Sequence, residues 1–126
     1  MIEDEPAAGP RETLLMRGVL DMCVLALVDV DPLHAYGIVQ KLQEHGFANA
    51  SYGTIYPLVT RLRKQGLVDK QLEESPAGPA RNVLAINDAG RAALQLWAQQ
   101  WELTTEITRL VLATSPTTQR TERHAG

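Results

Sequence analysis

The chain has 126 residues, 44% of them apolar, and a formal net charge of −3. That length makes one domain, or a small domain with an oligomerisation element, and the charge excludes a surface coated in cations, so any contact with nucleic acid must be local. No apolar run has transmembrane length and the N-terminus, Met1-Ile-Glu-Asp-Glu-Pro6, is acidic, which argues against a membrane span and a signal peptide.

Residues 1–12, with Glu3-Asp-Glu-Pro6 and Ala7-Ala-Gly-Pro10, are too poor in apolar side chains to fold alone and should be a disordered arm. From Thr13 to Val28 the pattern becomes helical. Leu14, Leu15, Met16, Val19, Leu20, Met22, Val24, Leu25 and Leu27 cover far more than one stripe, so this helix has to be buried on more than one side. One side faces its own domain, and Leu15, Val19 and Met22 are candidates to face a partner subunit. Cys23, the single cysteine, lies in this run and reads as a small buried hydrophobe. An intrachain disulfide is therefore excluded, in keeping with a reducing cytoplasm.

Asp29-Val-Asp-Pro32 ends the helix, because Pro32 disfavours helical geometry at Asp31. A second helix is predicted from Tyr36 to Glu44, with Ile38, Val39 and Leu42 inward and Gly46 closing it. Phe47-Ala-Asn-Ala50 turns into a third helix beginning at Ser51. There Ile55, Leu58, Val59 and Leu62 fall at i, i+3, i+4 and i+7 and form a core stripe; Ser51 caps the first turn and Gly66 suits the left-handed position after the last. The opposite face holds Gly53, Pro57, Thr60 and Lys64, with Thr54, Tyr56, Arg61 and Arg63 on its shoulders. Hydroxyls, an aromatic ring and cations on one face suit contact with phosphates and base edges, although an ordinary solvated face has similar composition. Pro57 removes one helical bond to the carbonyl of Gly53, which has no side chain to obstruct a slight kink.

Helix, short turn and longer helix with a polar outer face form a helix-turn-helix. Leu67–Leu72 and Arg81–Ile86 then read as two short strands around the turn formers of Glu73-Glu-Ser-Pro-Ala-Gly-Pro79, a wing; the alternative is a pair of loops in an all-helical bundle. Asn87 caps a last helix running from Asp88 to Ala113, about 39 Å long at 1.5 Å per residue. Leu96, Leu103 and Leu110 recur every seven residues with Ile107 between the last two, a seam suited to another helix. Trp97 and Trp101 on a neighbouring stripe are either interface core or the walls of a cavity for a planar ligand. Residues 114–126 are polar and should be disordered.

Arg17-Gly18, His34-Ala-Tyr-Gly-Ile38, Ser51-Tyr-Gly-Thr-Ile-Tyr-Pro-Leu58, Arg61-Leu62, Gly66-Leu-Val68, Arg81 and Asp88-Ala-Gly90 resemble the PadR family of transcriptional regulators. The resemblance spans Thr13 to Val111 and looks closest to the short-tailed branch, with a single C-terminal dimerisation helix. It implies a mainly α fold with a small β-hairpin: a winged helix-turn-helix over residues 13–87 and a dimerisation helix over residues 88–113. It also implies a homodimer bound to palindromic double-stranded operator DNA as a repressor. Ser51, Tyr52, Thr54, Tyr56, Pro57, Thr60, Arg61, Lys64 and Arg81 are the DNA-contacting candidates. In drug-sensing relatives a tryptophan of the last helix lines a cavity between protomers, a role Trp101, with Trp97 one turn earlier, would take toward a planar aromatic effector. The chain departs from the family in its wing, where Asn82, Leu84 and Asn87 stand for a basic residue, a tyrosine and a threonine.

A winged helix can instead serve as a protein-interaction module without sequence-specific DNA binding, which the acidic total charge favours. Catalysis has no support: His34, His45 and His124 are scattered, and no acid, base and nucleophile set, metal-ligand spacing or phosphate loop is present, so no cofactor and no metal is expected.

Overall fold

The computed structural model describes residues 8–119. In chain order it contains α1 (Ala8–Arg17), α2 (Leu20–Val30), α3 (Ala35–His45), α4 (Tyr52–Lys64), β1 (Val68–Ser75), β2 (Gly78–Ile86) and α5 (Asp88–Leu112). The fold is mainly α with one two-stranded antiparallel hairpin, the winged arrangement with a long last helix expected above. The chain divides into two compact units, one ending at Leu94 and one beginning at Gln95. Among the described residues no helix is long and apolar enough to cross a membrane.

The single helix expected from Thr13 to Val28 is two helices, and the first begins inside the stretch read as an arm. Pro10 is compatible with an early start because the N–H groups of a first helical turn have no helical partner to lose. The Gly18 amide is shared between the Leu14 and Leu15 carbonyls, Val19 donates three residues back to Met16 at 3.0 Å, and Val19 itself leaves helical geometry at φ −123°. Glycine is a poor helix residue and suits the break. The interruption also resolves the excess of apolar positions: Leu20, Val24, Leu25 and Val28 of α2 enter the core, while Leu15 of α1 stays 71% exposed and Val19 and Met22 are half-buried. Cys23 is likewise half-buried, more open than its apolar neighbours suggested, because it points off the α2 core stripe.

Asp31 adopts an extended conformation before Pro32, as a residue preceding proline should. Leu33 then pairs its backbone with Leu84 of β2, with hydrogen bonds of 3.2 and 2.8 Å, adding a single rung of a third strand that no sequence pattern announced. α3 begins at Ala35 because His34 caps it: Nδ1 accepts a 2.8 Å hydrogen bond from the Gly37 amide. Gly46, at φ +122°, ends it in the left-handed region, and the Phe47 amide closes back onto the Leu42 carbonyl at 2.9 Å. Gln43 Nε2 donates to the Ala50 carbonyl at 2.8 Å and so fixes the turn between α3 and α4.

Leu25, Ile38, Leu42, Ile55, Leu62 and Val24 are the largest fully buried side chains, one stripe each from α2, α3 and α4. Each contributes about 1.5–3 kcal/mol by leaving water, which is the main force holding the two helices of the helix-turn-helix to α2. In the hairpin Val68 pairs with Ile86, Lys70 with Leu84 and Glu73 with Arg81; Val68, Val83, Leu84 and Ile86 close the core at its root.

Asn87 sits where the hairpin meets α5. Its Oδ1 accepts from the Gly90 amide at 2.8 Å, and its Nδ2 donates to the Gly66 carbonyl at 2.9 Å and to Asp69 Oδ2 at 3.3 Å. Arg91 bonds Asp29 Oδ1 and Asp88 Oδ1, each at 3.2 Å, which offsets the unfavourable placement of an acid at the C-terminal end of α2. Beyond Gln95, Leu96, Leu103, Ile107 and Leu110 are exposed, with Leu103 at 62%. The tail expected to be disordered from residue 114 instead makes a helical turn over residues 116–119, with the Gln119 amide donating to the Ser115 carbonyl at 3.1 Å, since Pro116 at a helix start loses no bond; residues 120–126 of that expectation, like residues 1–7 of the arm, lie outside the described residues.

Candidate nucleic-acid interface

Ser51 and Gly66 set the ends of α4 as the sequence suggested. Ser51 Oγ accepts from the Thr54 amide at 3.3 Å and lies 3.1 Å from Thr54 Oγ1, so two candidate hydroxyls form one polar pair at the helix start. At the other end Gly66, at φ +77°, lets its amide reach Arg63 and the Leu67 amide reach Leu62, each at 3.0 Å. With Ile55, Leu58, Val59 and Leu62 buried, the outer face has no freedom to rotate inward. Ser51, Tyr52, Thr54, Tyr56, Pro57, Arg61 and Lys64 are all exposed, and Thr60 is half-buried.

Two concavities flank this face. Thr54, Pro57 and Arg61 line one of about 420 Å³ together with Glu12, Met16, Arg17 and Asn49, so α1 supplies its far wall. Tyr52, Tyr56 and Thr60 line the other, of about 330 Å³, together with Tyr36, Arg63, Lys70 and Asn82, so α3 and the wing supply its walls. Lys64 lines neither. Tyr52 is the middle ring of a three-tyrosine stack: its centroid lies 4.5 Å from that of Tyr36 and 5.3 Å from that of Tyr56, with interplanar angles of 17° and 26°. Tyr56 remains 52% exposed at the end of the stack.

Arg81 is not brought to the α4 face. Side chains alternate across a strand, so the register that pairs Glu73 with Arg81 puts both on the side of the hairpin opposite Lys70 and Leu84. Arg81 Nη2 stands 3.9 Å from Glu73 Oε1, with both side chains more than half exposed, an ion pair of little energetic weight. The cleft-facing cation of the wing is Lys70, which the sequence reading passed over among Asp69, Glu73 and Glu74; its register with Leu84 was the usable signal. Arg17, Asn49 and Tyr36 were missed as site residues because each lies on a different element from α4.

Other chemistry is poorly served. Cys23 has its thiol pushed up by burial and then by the nearby Asp21 carboxylate, which leaves less of the nucleophilic thiolate. Among the described residues no group of three or more His, Cys, Asp or Glu side chains could hold a metal ion.

Known proteins share this fold. A PadR-like transcriptional regulator from Bacillus cereus is 32% identical, superposes with a TM-score of 0.73, and is matched over 79% of this chain and 96% of its own. A PadR family regulator from Eggerthella lenta is 28% identical with a TM-score of 0.77, over 86% of this chain and 95% of its own. A Streptococcus transcriptional regulator is 32% identical with a TM-score of 0.71, over 77% and 95%. No curated protein matches the chain. The PadR-like transcriptional regulator family matches residues 24–96, from within α2 through the helix-turn-helix and wing into α5, and with more than half its length so matched the chain belongs to that family of DNA-binding regulators, which are not enzymes.

Proposed function

We propose that the chain works as a homodimeric repressor, each protomer laying α4 into the major groove of one half of a palindromic operator. The observation that carries this reading is the outer face of α4: a rigidly capped helix whose hydroxyls, tyrosines and cations are exposed between two concavities. Half-sites about 34 Å apart on one side of the duplex follow from two-fold symmetry. Ser51, Thr54 and the α4 tyrosines suit phosphates, while Arg61 and Lys64 suit phosphates or guanine edges. Arg81, on the other side of the wing, would reach backbone further along the groove once released from Glu73.

The dimer is supported by apolar surface that this chain leaves bare: Leu15 on α1, and Leu96, Leu103, Ile107 and Leu110 on α5. Half-burial of Val19 and Met22 leaves each with area to lose to a partner. Trp101, 45% exposed, and Trp97, half-buried one turn away, are the candidate walls for a planar aromatic effector whose binding would release DNA. Selection of duplexes from a random pool tests the central claim. Enrichment of an inverted repeat, bound by the parent and about 5–150-fold more weakly by Arg61→Ala if that residue reads a base, is the expected result; recovery of no common sequence would overturn it.

A further inference from the structure

Gln65, Gly66 and Leu67 are all that separates α4 from β1. Their amides turn back onto α4, to the carbonyls of Arg61, Arg63 and Leu62 at 2.9, 3.0 and 3.0 Å, so this connector moves with the helix that carries the candidate interface. Its carbonyls face the other way, onto the start of α5. The Gly66 carbonyl accepts from Asn87 Nδ2 at 2.9 Å, and the Leu67 carbonyl accepts from the Asn87 amide at 3.4 Å and fills the space where a side chain on Gly90 would stand. Arg91 ties the same turn of α5 to Asp29, near the end of α2, at 3.2 Å. Of the 25 residues of α5, Gly90 alone is buried.

A helix gripped at its first turn and bare elsewhere is a lever. In the homodimer proposed above α5 also carries the seam between copies, so its root is a direct path from that seam to α4. We propose that Asn87, Gly90 and Arg91 are positioning residues for operator spacing: by locking the first turn of α5 to the connector and to α2, they set the separation at which two half-sites are read together. The proposal rests on the homodimeric DNA-binding reading and adds what selects among inverted repeats of the same half-site.

One base pair added between half-sites moves them apart by about 3.4 Å and turns them by about 35° around the duplex. Shared by two protomers, the turn is about 17° each, the size of a rigid-body rotation in which interface contacts are exchanged. A root held by Asn87 on one side and Arg91 on another cannot give that much with its bonds intact. Asn87→Asp isolates the clamp. A carboxylate oxygen still accepts from the Gly90 amide and caps α5, but it has no proton for the Gly66 carbonyl and it repels Asp69.

Fluorescein-labelled duplexes carrying the selected inverted repeat, with the half-sites moved by one or two base pairs either way, are titrated by anisotropy with the full chain, beside a duplex holding one half-site. Two half-sites bind about 10²–10⁴-fold more tightly than one only where the geometry lets both engage, so the parent should show that gain at one spacing and lose most of it one base pair away. Asn87→Asp should keep the parental affinity for the single half-site and the parental sedimentation coefficient, while its preference for the best spacing over the neighbouring ones falls about tenfold. Arg91→Ala should broaden the profile to a lesser degree, and it decides the matter if Asn87→Asp fails to fold or to dimerise. A parental spacing profile in a folded, dimeric variant overturns the joint, because a part in stability alone lowers Tm and leaves spacing untouched. A parent that binds every spacing equally overturns it too. Recovery of no inverted repeat in the selection overturns the DNA-binding reading instead.

Discussion

Gly90 should tolerate no side chain, for a reason that can be worked from the structure. It is buried in the first turn of α5, and a Cβ built there would overlap the Leu67 carbonyl oxygen and stand 2.7 Å from Ile86 Cγ1 and 3.1 Å from the Leu67 carbonyl carbon. The carbonyl cannot rotate aside, because it belongs to the backbone between α4 and β1 and accepts from the Asn87 amide at 3.4 Å. Overfilling of this kind costs about 1–3 kcal/mol, at the upper end where backbone must move. Alanine returns at most about 1 kcal/mol through its better helix propensity. Gly90→Ala should therefore lose about 1–2 kcal/mol net, a fall in Tm of about 5–15 °C for a domain of this size. Urea unfolding at one fixed protein concentration measures it, since the stability of the proposed dimer would vary with concentration. A variant as stable as the parent, or more stable, would refute the tight fit of α5 against the Leu67 carbonyl. Gly53→Ala is the internal control: a Cβ there meets only Ser51 Oγ at 3.9 Å, and the exposed helical position should gain about 0.5–1 kcal/mol.

Asn87→Ala removes a helix cap and two ties to Gly66 and Asp69, and should cost about 1–2 kcal/mol in the same unfolding assay, with Asn87→Asp recovering the cap alone. Leu103→Glu puts a charge into the seam proposed to join two copies, so sedimentation velocity should show monomer where the parent is dimeric; an intact dimer would place the interface elsewhere. Planar aromatic dyes should quench the emission of the parent and much less that of a dimeric Trp101→Ala protein, and a panel without any quencher would reduce both tryptophans to packing. The raised thiol of Cys23 leaves less thiolate at any given pH, so iodoacetamide at pH 8 should modify it more slowly than a free cysteine, and an equal rate would contradict its protected setting.

Elements with a local chemical signature were legible in the sequence. Ser51, Gly46 and Gly66 mark helix ends through their own side chains or backbone freedom, and the spacing of Ile55, Leu58, Val59 and Leu62 names one face. The break after Arg17 was not legible, because Leu14 through Leu27 keeps an apolar pattern across it and only the shared Gly18 hydrogen bonds reveal where the helix stops. Leu33 could not be read as a strand rung, since one residue has no period. At the site, the face of α4 follows from 100° per residue, but the concavities on either side depend on which other elements approach it. Lys70 illustrates the limit: surrounded by acids in sequence, it parts from Asp69, Glu73 and Arg81 only when the pairing register assigns it a side of the hairpin.

The rung between Leu33 and Leu84 bears on how the protein behaves when concentrated. A two-stranded ribbon has two free edges, and each can recruit a strand from another molecule. Here the inner part of β2 already has its edge occupied at Leu84 by backbone from the same chain. The remaining edge, β1, carries Asp69, Lys70, Glu73 and Glu74, charges of both signs that make stacking of identical ribbons unfavourable. Fibrous, edge-to-edge growth is thus hindered at the root of one strand and discouraged on the other, and loss of the Leu33 rung should make the protein more prone to aggregate.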